Sequence, residues 1–564
     1  MRRVYSCFTR DLRRHALFCR ERPPRKGARL QTESRPASFA GRAIFRFGAF
    51  AAAPVAASLG GCAVGPDFAA PAAPFEAGYV RRLSTGGQGE AGRVGGAQQL
   101  QMGRDVPGEW WRLFHSKQIS ALIDEAVENH PNIAAAEAAL RQARETLEAD
   151  AASFLPSATA TDSVTRQQLS PAQYGSSSNS NSGFKTLYTL YNSNVAVSFT
   201  PDVFGKTART VEGDAASVDY QRYQLEAAYL ALTANVVSTA IADASYAEQI
   251  KVTQGLVADY RAQLDILEKR FELGAVSLAD VVSERALLAQ AEASLPPLQK
   301  ARAQTRNQLM AYLGRFPNSD KGEAIELEKL HLPATLPLSL PSKLVRQRPD
   351  ILAAESQLHQ ASANVGVATA NMLPQLTLSA TGGSLALTPT QLFSPHTMAY
   401  NFGASLSNQA FDGGGLFHKR EAKVAAFEQA TAQYQGAVLT AFQNVADALQ
   451  AIKHDAATLR AQTAAESAAA ESFRIAQIQY RAGSTTYPTV INAEQSLLTA
   501  RLNRVKAQAA RFSDTVALLQ ALGGGWWNRN DETPASRAKP TDLVATSPIA
   551  AAIRAQAGKT VDAQ

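Results

Sequence analysis

Few side chains in this 564-residue chain could carry out a reaction. The eight histidines are scattered, with no pair at metal-ligand spacing on a helix, and neither a phosphate-cradling G-x-x-x-x-G-K-[ST] loop nor a G-x-S-x-G nucleophile turn occurs. Of the three cysteines, Cys7 and Cys19 fall within the first 61 residues, so the remainder holds the single thiol of Cys62. One thiol builds neither a disulfide framework nor a thiolate metal site within one chain. No enzyme activity, metal or cofactor is therefore expected. The chemistry that remains is chemistry done to the chain, at Cys62.

The residues before Cys62 point the same way. Arg42 and Arg46 precede "FGAFAAAPVAASLGG", a charged region followed by an apolar run too short to span a bilayer, as in a secretory signal. Leu59-Gly60-Gly61-Cys62 resembles the bacterial lipobox. Small residues there admit a signal peptidase, which cuts between Gly61 and Cys62, and the thiol receives a diacylglycerol whose acyl chains (palmitate, for example) enter a lipid surface. Ala63 stands where an aspartate would, by the same resemblance, retain a lipoprotein at the inner membrane, so delivery to the outer membrane is expected. Residues 1–40 are long for a signal, and translation is expected to start further downstream.

Charge follows the same division. The net +7 looks basic, but residues 1–61 carry 13 Arg and Lys against 3 acids. The 43 basic and 46 acidic residues of 62–564 leave about −3, with no electrostatic footprint for nucleic acid. No run of 18 apolar residues occurs, so no transmembrane helix is expected and any membrane crossing must use strands.

Beyond the leader the chain is duplicated. "NHPNIAAAEAALRQARETLEADAASFLP" (129–156) aligns without a gap to "QRPDILAAESQLHQASANVGVATANMLP" (347–374), with 11 of 28 positions identical. "NVAVSFT" (194–200) then matches "NFGASLS" (401–407), and "RFELGAVSLADVVSERALLAQA" (270–291) matches "QYRAGSTTYPTVINAEQSLLTA" (479–500). Each unit reads as a helix, two strands and two long helices. Val195, Val197 and Phe199 alternate with Asn194, Ala196, Ser198 and Thr200, and Phe402, Ala404 and Leu406 alternate with Asn401, Gly403, Ser405 and Ser407. That period of two separates an apolar from a polar strand face. Asp162 falls on the apolar face, which places it near a barrel mouth or marks a register error. Residues 170–183 and 381–397 read as polar loops.

The helical stretches, about 207–271 with 277–313 and about 418–480 with 488–522, are rich in Ala, Leu, Glu, Gln and Arg. Gly274 and Gly483 break each pair into a hairpin. Apolar residues such as Leu264, Leu267 and Phe271 recur at three and four, as helix packed on helix requires. Four strands per chain are too few for a membrane barrel, where about 8 is the usual minimum. Several copies must share one.

"CAVGPDF", "WWRLF" (110–114), "NHPNI…LP", "YRAG…Y…V" and "ALGGGW" (521–526) occur in order, and over residues 59–527 the chain resembles the TolC-like outer membrane factors, in the OprM/NodT-type efflux lipoprotein branch. The resemblance implies an α+β membrane protein: a trimeric 12-stranded outer-membrane β-barrel, four strands per chain, continuous with a long α-helical coiled-coil periplasmic tunnel. It implies as partners a homotrimer, a periplasmic adaptor, an inner-membrane RND-type transporter and outer membrane lipids. The function implied is the passive exit duct of a tripartite efflux system. A type I protein-secretion duct and a lipid-anchored coiled-coil scaffold that never spans the membrane are the alternatives. Domains are expected at 1–61 (extension and signal), 62–115 (lipidated segment), 116–335 and 336–527 (the repeats) and 528–564 (a flexible periplasmic tail). The resemblance also places a periplasmic gate just past the hairpin glycines, with Asp280, Tyr480, Pro488, Thr489, Asn492 and Gln495 as candidates. Family members commonly carry a carboxylate where Asn492 stands and an arginine where Gln495 stands, so a gate here would lean on Asp280, packing and neutral hydrogen bonds. The simpler reading of Asp280 is a solvated acid at a helix start, favourable through the helix dipole.

Overall fold

The computed structural model describes residues 63–72, 79, 98–168, 187–320, 322 and 325–529. Strand β1 (Gln99–Met102) leads through the short 3-10 helix Trp110–Phe114 into α1 (Lys117–Asn129) and α2 (Pro131–Ala151). Strands β2 (Ser157–Gln168) and β3 (Leu187–Phe199) follow, then the long helices α3 (Lys206–Glu272) and α4 (Leu278–Tyr312). The second unit opens with β4 (Thr335–Leu338) and α5 (Pro341–Gln347), and repeats the series as α6 (Pro349–Ala370), β5 (Gln375–Ala386), β6 (Met398–Ser407), α7 (Gly415–Arg481) and α8 (Tyr487–Ala521). The duplication is metrically close: α3 and α7 each have 67 residues, and α4 and α8 each have 35. At about 1.5 Å rise per residue the longer helices extend roughly 100 Å.

The four strands form one antiparallel sheet in the order β2-β3-β5-β6. Its register aligns the alternation across the sheet: Ala160 faces Val195, Val195 faces Gly382, and Gly382 faces Tyr400, while Ala158, Val197, Ala380 and Phe402 make the next row. One face is therefore apolar through these rows and the other carries Thr159, Asn194, Ser379 and Asn401. Asp162 lies on the apolar face opposite Ser193, with Ala160–Val195 and Val164–Tyr191 paired on either side, so the register is unbroken. It sits midway along β2 but level with Ser384 and Met398, the last paired row of β5–β6. The expected loop at 381–397 is corrected: β5 runs on to Ala386. Glycine is a poor strand former, but at Gly383 a Cβ would come within 2.3 Å of the Ser193 carbonyl, so close pairing with β3 requires it. The 170–183 loop lies outside the described residues.

The core sits where the two units meet. Trp110, Trp111 and Phe114 are buried with Val236, Val237, Ala240 and Ile241 of α3 and Phe512, Val516 and Leu519 of α8. The small parallel pair β1–β4 joins this cluster through Leu336 and Leu338; it had no sequence signal of its own. Against expectation, α3 is long and apolar enough by length and composition to cross a bilayer. Its apolar residues are the ones that fill this core. The segment expected to begin a flexible tail at 528 is also corrected in part. Asn528 donates to the Val106 carbonyl (2.8 Å), and Arg529 pairs with buried Glu226 (2.7 Å) and lies over the Tyr229 ring. Residues 530–564 lie outside the described residues.

Candidate functional site

All four long helices end alike. After α3, Gly274 N–H donates to the Phe271 carbonyl (2.9 Å) and Ala275 N–H to the Arg270 carbonyl (2.8 Å). After α7, Gly483 and Ser484 donate to the Tyr480 and Gln479 carbonyls at 3.0 and 2.9 Å. This double closure needs a left-handed residue, and both glycines have φ of +72°. Space around them is open, so the backbone angle alone dictates glycine there.

The next helices start differently. Ser277 and Asp280 form a reciprocal capping box: the Ser277 hydroxyl accepts from Asp280 N–H (3.2 Å), and the Asp280 carboxylate accepts from Ser277 N–H (3.1 Å) and Oγ–H (2.8 Å). Asp280 is thus tied to its own helix start. On α8, Thr486 precedes Pro488 in the first turn and makes no side-chain cap. Pro488, Thr489, Asn492 and Gln495 are exposed along one side of α8, while Tyr487, Val490, Ile491 and Glu494 are buried on the other. Tyr480 packs its ring 5.2 Å from that of Tyr487. Asp280 and Tyr480 are half-buried, so the gate candidates divide between an exposed strip and the flank of a buried cluster.

That cluster holds residues which sequence reasoning missed. Leu267 of α3, Val281 of α4, Ala476 of α7 and Tyr487, Val490 and Ile491 of α8 close the tip of both hairpins into one apolar knot. Beside it lie two buried carboxyl groups, Glu284 at 0% and Glu494 at 5% exposure. The Tyr487 hydroxyl is 2.7 Å from Glu284 Oε2 and 2.9 Å from Gln263 Oε1, and the Gln263 amide reaches Glu494 at 3.4 Å. Burial raises the Glu284 pKa, opposed by the Tyr487 hydrogen bond. Burial, then the neighbouring Glu284 charge, pushes Glu494 up to about 7. The available signal was position: both glutamates fall on the apolar stripe of their helices.

At the opposite end of α3 the segment following Cys62 is held firmly. Arg209, 5% exposed, binds Asp67 (2.5 Å), Glu212 (2.7 Å) and the Val64 carbonyl (3.3 Å). His359 of α6 contacts Glu212 (2.9 Å) and stacks on Phe68 at 4.2 Å. Val64 N–H donates to the Phe204 carbonyl, and a Cβ on Gly205 would lie 2.6 Å from Ala63. Ala63 is therefore seated where β3 passes into α3. Gly61 and Cys62 lie outside the described residues.

Sheet, duplicated hairpins and sealed tip together describe a strand-based membrane part joined to a long helical stem. Comparison with known proteins agrees. The family model for outer membrane efflux proteins matches residues 122–315 and 340–524. The pyoverdine export outer membrane protein OpmQ of Pseudomonas putida is 30% identical over 418 residues, 74% of this chain and 88% of that protein. The probable efflux pump outer membrane protein TtgC of the same species is 28% identical over 84% of this chain and 95% of its own length. Among solved structures, the outer-membrane channel OprN superposes with a TM-score of 0.72 at 25% identity, covering 82% of this chain and all of that one. The Campylobacter jejuni CmeC outer membrane channel gives 0.72 at 20% identity over 86% and 98% of the two chains, a likeness of fold. The chain belongs to the outer membrane efflux protein family and is an outer-membrane exit duct of an efflux system.

Proposed function

We propose that three copies of this chain close one twelve-stranded barrel and one helical tunnel, and that this trimer passively passes small molecules delivered by an inner-membrane RND-type transporter through a periplasmic adaptor. The observation that carries the reading is the four-stranded sheet with one predominantly apolar face and two unpaired edges, β2 and β6. Unpaired edge groups cannot remain in hydrocarbon, and four strands fall short of the ~8 a barrel needs. Further copies supply both missing partners, and three is the number the family resemblance implies. A scaffold lying outside the membrane would leave that face without a purpose. The naming of relatives for pyoverdine export and for an efflux pump supports a small-molecule cargo.

The duct conducts without catalysing a reaction and needs no cofactor beyond the lipid on Cys62. The seating of Ala63 beside Gly205, at the sheet end of the stem, supports that lipid, since acyl chains on residue 62 would start next to the bilayer. Asp280, together with Tyr480 and the exposed strip of Pro488, Thr489, Asn492 and Gln495, lines the narrow end, where a ring of three carboxylates favours cations. Planar-bilayer recording tests the reading. Purified protein is expected to give discrete cation-preferring channels, and Asp280→Ala to lower that preference and admit larger solutes. Absence of channels from correctly delivered protein overturns the duct, and an Asp280→Ala channel identical to wild type removes Asp280 from the gate.

A further inference from the structure

The tip network poses a problem of proton counting. The Tyr487 hydroxyl has one proton, yet it lies 2.7 Å from a Glu284 carboxyl oxygen and 2.9 Å from the Gln263 amide oxygen. Both are acceptors if Glu284 is ionised. The hydroxyl can donate to Gln263 and still bond Glu284 only when Glu284 carries a proton and donates it. Exchanging the oxygen and nitrogen of the Gln263 amide, which have the same shape, lets the amide donate to Tyr487 and Tyr487 to Glu284. The amide oxygen then faces the Glu494 carboxyl at 3.4 and 3.5 Å, where its partial negative charge disfavours an ionised Glu494 and a proton on that acid relieves the repulsion. The first arrangement requires one proton beyond those of the ionised acids, and the second favours one on Glu494.

The surroundings retain that proton. Glu284 is fully buried, and its other oxygen, Oε1, has no hydrogen-bond partner. Facing the pair, α3 presents Asp259, Tyr260 and Gln263, α7 presents Tyr480, and α8 presents Tyr487. The cation that bears on Glu494 is Arg501, two helical turns along α8, and it stands 3.6 Å from Glu466. Two ionised carboxylates in this pocket would be a like-charge pair taken out of water with little compensation. The exposed pairs Arg285–Glu268 and Arg261–Glu292 bind α3 to α4 without reaching across to α8. Beside the apolar contacts of Leu267 and Val281 with Val490 and Ile491, the polar link between the first hairpin and α8 at this level therefore runs through Tyr487, Gln263 and the two acids.

We infer that Glu284 and Glu494 share a bound proton that latches the α3–α4 hairpin to α8 at the tip, and that loss of this proton loosens the tip. The inference rests on the tip being the narrow end of the duct. A proton belongs to the pair rather than to either acid. Separating the hairpins wets both carboxyls and returns them to ordinary acidity. The closed tip therefore binds more protons than the opened one, its stability is full below about pH 4.5, and stability falls as pH rises towards about 7. One proton released on opening makes the opening equilibrium rise about tenfold per pH unit across that window.

Two readouts on the purified full-length protein test this. In infrared titration, wild type should show a protonated-carboxyl C=O band at pH 6 that disappears on alkalinisation and is diminished by Glu284→Gln and by Glu494→Gln. In planar bilayers, open probability should climb through the stated window for wild type. The double variant Glu284→Gln, Glu494→Gln, whose neutral amides mimic the protonated acids, should stay closed and nearly independent of pH. A band that neither substitution changes, or a double variant with the full wild-type pH response, overturns the latch. Failure of wild type to form channels at any pH would instead sink the duct reading, with the infrared titration still deciding whether the proton is held.

Discussion

The two hairpin tips of the duplicated unit have the same backbone and different chemistry. Both follow a 67-residue helix, both end on a glycine at φ +72°, and both lead into a 35-residue helix. The first tip then spends its polar groups on a local capping box between Ser277 and Asp280. The second has no side-chain cap, exposes Pro488, Thr489, Asn492 and Gln495, and turns Tyr487 and Glu494 inward against the first. Duplication thus kept the geometry that closes each helix and let the side chains diverge into a self-contained start and a docking face. The resemblance implies a gate at these turns, with Asp280 among its candidates, and the geometry shows a buried carboxyl pair beside the same turns.

Substitutions can break or sharpen this contrast. The largest effect is expected from Tyr487→Ala, which empties a buried ring position and removes the bridge between hairpins. It should cost about 3–5 kcal/mol, seen as faster hydrogen exchange over Val281–Leu287 as well as over α8. Protection lost on α8 alone would mean that the tips are independent. Gly274→Val and Gly483→Val should each cost about 1–2 kcal/mol, because a β-branched residue must adopt a left-handed conformation. Nearly equal losses in thermal unfolding would show that the shared backbone is what duplication preserved, and a loss at one turn only would refute that symmetry. The smallest effects separate the two helix starts. Ser277→Ala should cost about 1 kcal/mol through the lost cap, whereas Thr486→Ala should stay within about 0.5 kcal/mol. Equal values would erase the asymmetry.

Much of this architecture was legible in the sequence. The period-two faces around Val195 and Phe402 were readable because each strand carries its own alternation, and the helix ends because glycine after a long Ala- and Glu-rich run has few other uses. The strand through Gly382 and Gly383 was not readable, since two glycines look like a turn until β3 and β6 supply ladders on both sides. Glu284 and Glu494 escaped for a related reason. In helices rich in Glu and Gln an acid reads as solvated, and what buries Glu284 includes Tyr487, 203 residues further along the chain. Asp280 carried both of its readings from the start. The capping box accounts for its conformation, and the proposed gate role is left to the Asp280→Ala conductance.

The central claim, that the open four-stranded sheet is one share of a common barrel, is tested most directly by the mass of the particle that conducts. Native mass spectrometry of detergent-extracted protein that forms channels should give three times the mature chain mass, with no conducting single chain. Conductance from a monomer, or a stable single-chain particle in the membrane, would contradict the account.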